Sequence, residues 1–560
     1  RALALGYDLL APELNESERR AVRRALRDLA ILPTFREHFL DARMPFPTSN
    51  WIGNSLAGAL VALAVIDGEE PDPELASALS GLVARLRAHV DETILPDGSS
   101  GEPLGYQNFD LEGVGWAMAA LERVYGIDFR LGTALDRAHH YALYAAIGKN
   151  QFPDMGDGGL GATHGFAWLA AHSDDARLRK LYWSLPRDQV GQLLLAPPPG
   201  GGKDEPLASS RFFPQKGAAI LRSGWDPEAT VFIYRAGPNF NHNHIDAGGF
   251  YLAARGQLLL SEAGVSHYYN DPHYQSHFVQ AIGHNVMLVD GDPESQFMPD
   301  FLPIQALDRR PRWKTTLAAE AADLLRTDLQ PLYKAPLAGY ERAVVFVKPD
   351  YLVLCDRVAA PAQHVFSWLF HAPAADDARL RLAGSAFSIE RPGISLWAQL
   401  AGDWRLELRQ QDWPTPLGAF GDLMKTRIPV RHYVEASTPR AYRATLVALL
   451  YPLAPGRVPP HVEQLSSPNA FGLRVDGRDE VVFRTGPGAI QAAQIRADAD
   501  SVFLRVSADG IEKMIVDSGT AVIWRSRELL SSPQPITLAV SWGPGGAQGT
   551  ARTSSATSFQ

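Results

Sequence analysis

Cysteine is almost absent: Cys355 is the only one in 560 residues. A single thiol cannot close an intrachain disulfide, and it excludes any multi-cysteine metal site. No apolar run reaches the ~20 residues that a membrane-crossing helix needs. There is no basic run, and the net charge is −9, which argues against a nucleic-acid partner. A local basic cleft for an acidic substrate is compatible with that balance. The His-Glu-x-x-His helix of zinc hydrolases is also missing, which disfavours a hydrolase of that type. No signal peptide is visible, and the first residue is Arg1 rather than methionine, which fits a trimmed mature form.

What is present describes a globular protein, with 46% hydrophobic and 21% charged residues. The length exceeds one ordinary core, so two or more domains are expected. The first part reads as helices. Asn15 with Glu18 forms a capping pair before Glu16–Ala30, whose Val22, Leu26 and Leu29 share a face. Trp51–Ile66 is mostly apolar and rich in small residues, as a buried helix would be. Glu74–Val90, Gly113–Tyr125, Leu131–Ile147 and Gly165–His172 continue the helical pattern. The cluster Pro197–Gly202 is a breaker and the best linker candidate. Beyond it come short β-type runs, among them Ala218–Arg222, Thr230–Tyr234, Phe250–Ala253, Leu258–Leu260, Ala343–Val347, Tyr351–Cys355, Val365–Phe370 and Ala444–Leu450. Strands at this spacing, with turns between them, predict a large antiparallel sandwich. From about Pro544 the residues are small and polar, as in a frayed tail.

The segment Asn241–Gly249 concentrates the chemistry. In an extended chain His242, His244 and Asp246 would share one side. Such a face is poor core material unless its members are paired or bind a metal. Arg255-Gly256 reads as a hairpin tip that pairs Ala254 with Gln257 and places Glu262 opposite Gly249. His244, Glu262 and His284 could then offer N, O and N ligands, a set zinc accepts. Histidines held in a sheet by hydrogen bonds alone would have the same spacing.

From His242 to Gly291 the chain resembles the β-domain signature of heparinase II/III-like polysaccharide lyases. The pattern is His-x-His-x-Asp, an apolar strand ending in an acidic residue and Gly, the Tyr-rich loop His267–Pro272, and His284-Asn285 before a Val-Asp-Gly strand. Glu341–Phe346, Tyr351–Asp356 and Trp368–His371 are also similar to that family. The resemblance implies an α+β multidomain protein: an N-terminal incomplete (α/α) toroid over 1–200, then a large antiparallel β-sandwich. The sandwich would occupy 208–375, be completed by 376–545, and end in a flexible tail over 546–560. It also implies a structural zinc on His244, Glu262 and His284, although the acidic ligand is commonly Asp in this family. Asp246 would support a histidine from behind, and the protein would be periplasmic or secreted.

The resemblance points to a second group in the helical part. Asn50 and Tyr106 match the family pattern, whereas Trp51 stands where a histidine often follows the Asn. Asn50, Tyr106, His242 and Tyr268 are the catalytic candidates, in a cleft between the two parts. Trp51, Glu102 and Arg342 are candidates for substrate binding. The implied reaction is β-elimination from a uronic-acid-containing polysaccharide or oligosaccharide, an acidic partner. Asn50 would donate to the carboxylate as charge builds there. Tyr106 would supply an acid, and His242 a base or a second charge stabiliser. Locally, Asn50 could equally be a helix cap, Tyr106 and Trp51 packed aromatics in helical loops, and Arg342 an exposed strand charge. Asp154–Gly159 lacks the ligand spacing of a calcium loop and reads as a turn. The rival reading is a non-catalytic carbohydrate-binding or exopolysaccharide-biosynthesis-associated protein of the same fold, since fold does not fix activity.

Overall fold

The computed structural model describes the chain outside residues 42–48, 131, 150, 159–160, 162–163, 187–194, 196–199, 205, 238–240, 265–272, 298–308, 374–376, 403, 412–430, 509, 544–545 and 554–560. It divides into two compact units. The first is Arg1–Leu207 with Phe240–Asn243, and the second holds Ala208–Asn239, His244–Met298 and Asp308–Gln560.

The first unit is helical. The Asn15 side chain accepts from the Glu18 backbone at 3.1 Å, and Glu18 accepts in return at 2.9 Å, so the expected reciprocal cap opens the helix Glu16–Leu26. Leu29, expected on the apolar face, is exposed. The backbone passes into a wider π-type turn at Arg27–Ile31, which shifts the helical phase after Leu26. Asn50–Ile66 is the buried helix that its small and apolar residues predict. It packs closely on Leu104–Tyr125: a Cβ added at Gly113 would lie 2.7 Å from the Gly53 carbonyl. This second helix starts well before Gly113, so Tyr106 lies in its first turn and not in a loop. The helix expected over Leu131–Ile147 shortens to His140–Ala145. The Thr133 hydroxyl donates back to the Phe129 carbonyl at 2.7 Å, a local bond that competes with helix formation. Among the described residues no helix is long and apolar enough to cross a membrane.

The second unit contains antiparallel sheets of five, eight, four and nine strands. The eight-stranded sheet is the middle layer, and the period-2 alternation of its strands shows why. Val344, Phe346, Leu352, Leu354, Ala448 and Leu450 face a core shared with the five- and four-stranded sheets. Their neighbours Val345, Val347, Val353, Cys355, Val447 and Leu449 face a core shared with the nine-stranded sheet. Residue 375 is not a break in this arrangement, because Ala441–Leu453 pairs along Tyr351–His364 within the middle sheet. Only the first part of the tail expected over 546–560 lies within the described residues. Gly546–Thr553 forms a strand paired with Arg527–Gly543. An open strand edge offers backbone groups whatever the side chains of its partner.

One charge lies at the centre of this unit. Arg342 is 1% exposed, and its Nε donates to Asp356 Oδ1 at 2.7 Å while Nη2 donates to Asp356 Oδ2 at 2.6 Å. The Trp368 indole N–H also reaches Asp356. Burial opposes a charged guanidinium, but the Asp356 carboxylate outweighs it and holds Arg342 firmly protonated. Asp356→Ala leaves a buried cation without its counter-ion, and we expect a loss of about 3–5 kcal/mol. Urea denaturation at unchanged m-value would measure it. A loss below about 1 kcal/mol, in the range of an exposed ion pair, would show that the pair does not hold this core.

Candidate functional site

The helical unit gathers several predicted residues around Glu102. Its Oε1 accepts from the Asn50 backbone at 3.2 Å, the Asn50 amide at 3.0 Å and the Asn241 amide at 2.9 Å. Burial pushes the Glu102 carboxyl above its usual range, against the pull of His242 and of these asparagine donors. Glu102 and Asn50 are both fully buried. Glu102 therefore organises the site from within and does not present a sugar-contacting surface. Asn50 is not the helix cap, since Ser49 Oγ takes that place by accepting from Trp51 N at 3.4 Å. Trp51, in the same helical turn, is 69% exposed.

Tyr106 and His242 also belong to this group, both of them half-buried. Their rings stack with centroids 3.5 Å apart and planes 6° from parallel. His242 Nδ1 lies 2.9 Å from Asp157 Oδ2. The Asn243 amide donates to the Gly101 carbonyl at 2.9 Å, which secures the chain beyond His242. Tyr268 lies outside the described residues.

The extended register expected for His242, His244 and Asp246 is not adopted. Asn241–Gly249 is turn and irregular chain, and the strand starts only at Phe250. His242 has φ 58°, a left-handed conformation that breaks side-chain alternation. His242 accordingly meets Tyr106, whereas His244 meets His284, ring centroids 5.2 Å apart. Asp246 closes an ion pair with Arg235 and bears on His284 only through its charge.

In the second unit His244, Glu262 and His284 are all buried, with ligand atoms within 4.8 Å of one another. The Arg255-Gly256 tip has φ of 51° and 70° at its two residues, and Ala254 pairs with Gln257 as expected for a two-residue hairpin. A register shift between Leu252 and Ala253 then sets Leu260 opposite Leu252, so the strand reaches Glu262 one residue out of the simple register. His284 faces two acceptors, Glu262 Oε2 at 2.7 Å from Nδ1 and the Phe278 carbonyl at 3.1 Å from Nε2. Arg342 contributes nothing to either cluster as a substrate contact, because its burial on Asp356 withdraws it from solvent. It is not an exposed strand charge either.

Residues 205–443 match the family model described as heparinase II/III-like, C-terminal. This segment is similar to heparinase II/III-like C-terminal domains. Its fold recurs in solved structures. Heparan sulfate lyase HepC from Pedobacter heparinus is 15% identical with a TM-score of 0.58, over 78% of this chain and 66% of its own. A heparinase III structure is 16% identical with a TM-score of 0.59, over 76% of this chain and 66% of its own. A heparinase III with methylated lysines gives a TM-score of 0.59 at 15% identity, over 76% of this chain and 63% of its own. The chain thus spans a little under two thirds of the length of these structures, and at such identities the likeness is one of fold. No curated protein matches the chain in sequence.

The heparinase-like domain carries the metal candidates, and their donor chemistry fits zinc: two imidazoles and one carboxylate. The surroundings of His284 support the fit. A neutral imidazole has one N–H, yet both ring nitrogens face acceptors. A second ring proton, or a cation taking the place of the proton at Nδ1, would satisfy both contacts. Burial disfavours the proton, but the Glu262 carboxylate outweighs burial and raises the affinity of His284 for it. Zinc bound here would cross-link the segments carrying its three ligands.

The sequence reading missed Asp157 and Asn241. No local pattern joins Asp157 to a histidine 85 positions away, and Asn241 sits beside the histidines without a motif of its own. For the metal candidates we expect about one zinc per chain, lost in Glu262→Ala and His284→Ala, with chelation lowering the thermal midpoint. Plasma emission analysis and differential scanning fluorimetry measure both. Substoichiometric zinc that added metal does not restore would remove the assignment.

Proposed function

We propose that the chain is a polysaccharide lyase that cleaves a uronic-acid-containing polysaccharide or oligosaccharide by β-elimination. The product would carry a 4,5-unsaturated uronate end. The single observation behind this reading is the Tyr106–His242 stack, at 3.5 Å, beside the Asn50–Glu102–Asn241 cluster. The heparinase II/III-like domain and the fold shared with heparan sulfate lyases support it at the level of family and architecture. The reading includes the finer expectations for the chain: an incomplete (α/α) toroid for the helical unit, a structural zinc, and a periplasmic or secreted location.

The reaction requires three things, and the residues present can supply them. His242 takes the C5 proton of the uronate. The C5–H electron pair forms the C4–C5 double bond, and the C4–O bond breaks. Tyr106 gives its phenol proton to the departing sugar oxygen. Charge that builds on the uronate carboxylate is met by the Asn50 amide hydrogen not used by Glu102. Because Asn50 is wholly buried, this contact requires a substrate unit that enters deep into the site. Trp51, exposed one residue further on, is the proposed sugar platform. The protein's net charge of −9 mildly favours an unsulfated uronate polymer.

Ultraviolet absorbance of the conjugated product, followed over a panel of uronate polysaccharides and short oligomers, tests the reading. We expect a rise with at least one substrate. Tyr106→Phe should cut that rate by about 10²- to 10⁴-fold, the usual range for losing a general acid, while the far-ultraviolet spectrum stays unchanged. A fully active Tyr106→Phe protein would remove the role of acid. A flat trace over the whole panel with zinc present would favour the non-catalytic carbohydrate-binding reading.

A further inference from the structure

Asp157 and His242 hold each other at two points. The Asp157 backbone N–H donates to the His242 carbonyl at 3.0 Å. The His242 ring meets the Asp157 carboxylate at 2.9 Å, with the Asp157 side chain 2% exposed and that of His242 15%. The turn that delivers Asp157 is built for this approach. Gly156 has φ 65°, and a Cβ there would lie 2.3 Å from the His242 carbonyl and 3.0 Å from Pro103 Cγ. No other residue type fits without moving one strand of the chain off the other. His242 itself sits at φ 58°, a conformation that costs energy for a non-glycine residue and persists only when its surroundings fix it.

We propose that Asp157 is a positioning residue that locks His242 as the Nδ1–H tautomer, so that Nε2 is the atom that receives the substrate proton; as a role in catalysis this rests on the lyase reading above. A carboxylate only accepts hydrogen bonds. The nitrogen facing it must therefore carry the hydrogen, and in a neutral ring the lone pair then belongs to Nε2. The Tyr106 ring, parallel to the imidazole at 3.5 Å, covers one ring face and opposes rotation. Glu102 and His242 also act on each other through charge. Two constraints thus act on one ring: Asp157 selects the protonated nitrogen, and Tyr106 with the φ 58° backbone selects the orientation. The Asp154–Gly159 run, which reads in sequence as a turn, acquires a function through Asp157, the carboxylate that sets the tautomer.

Long-range proton–nitrogen spectra of the full chain, with His242→Gln for assignment, read the tautomer directly. We expect the Nδ1–H form in the wild type and loss of that single form in Asp157→Ala. Turnover on a substrate found by absorbance should fall about 10²- to 10⁴-fold in kcat, as for other carboxylate–histidine pairs, with KM changed less than threefold. Asp157→Asn keeps the shape and the backbone bond but can donate its amide N–H to Nδ1, so it should lose both the Nδ1–H form and kcat with the fold intact; it stands in where Asp157→Ala does not fold. An Nε2–H ring in the wild type overturns the proposal. So does a folded Asp157 variant with unchanged kcat, or one in which kcat and KM deteriorate together. If no substrate is turned over, the lyase reading fails, and the tautomer spectra still decide whether Asp157 positions His242.

Discussion

The buried Arg342–Asp356 pair ties the middle sheet of the second unit to the segments that carry the candidate metal ligands. A guanidinium cannot be buried without satisfying its donors. Asp356 takes Nε and Nη2, while Nη1 donates to the carbonyls of Gly248 and Asn285. Gly248 lies four residues beyond His244, and Asn285 directly follows His284. The strand Gly339–Val347 therefore fixes both histidine segments through one side chain. Asn285 extends the same hold: its amide donates to the Phe250 carbonyl at 2.7 Å, and its Oδ1 accepts from the His371 backbone at 2.7 Å. The histidine is the ligand candidate in the His284-Asn285 pair, and the asparagine is the bracket that places it.

The helical unit solves the same problem with the opposite charge. Glu102 is a buried carboxylate on whose Oε1 donors from Asn50 and Asn241 converge. Amide donors compensate a buried carboxylate less completely than an arginine does, so burial still raises its proton affinity. The consequence is geometric. Glu102 fixes the start of the helix Asn50–Ile66 and the residue before His242 at once, so the site depends on one carboxylate that solvent does not reach.

The parts legible in the sequence were those with local or periodic signals. The run Ala218–Arg222 became a strand at those bounds, and the Arg255-Gly256 tip closed the hairpin it suggested. The His244–Glu262–His284 set converged even though its segment is not a strand, because fixed loops can replace an extended register. The failures share a cause. Arg342 alternates correctly within a strand, but its burial depends on Asp356 on the neighbouring strand and on loops far away in sequence. His242 departs from alternation because its partner Asp157 comes from a distant turn. A short run of His, Asn and Asp also carries no strong strand propensity to resist that departure.

The family match and the proposed chemistry lie largely in different parts of the chain. Residues 205–443 contain His242 and all three metal candidates, but none of Asn50, Glu102, Tyr106 or Asp157. The family resemblance thus speaks most directly for the part of the molecule that is braced by buried pairs and suited to a metal. The proposed chemistry draws most of its groups from the helical unit, where only the geometry speaks. A histidine supplied by one segment can serve many reactions; an imidazole with a carboxylate on Nδ1 and a phenol on its face is far more specific. Proton abstraction with departure of a neighbouring oxygen needs a base and an acid held within one sugar ring's width of each other. Tyr106 and His242, stacked at 3.5 Å, are the acid and base proposed for these two roles.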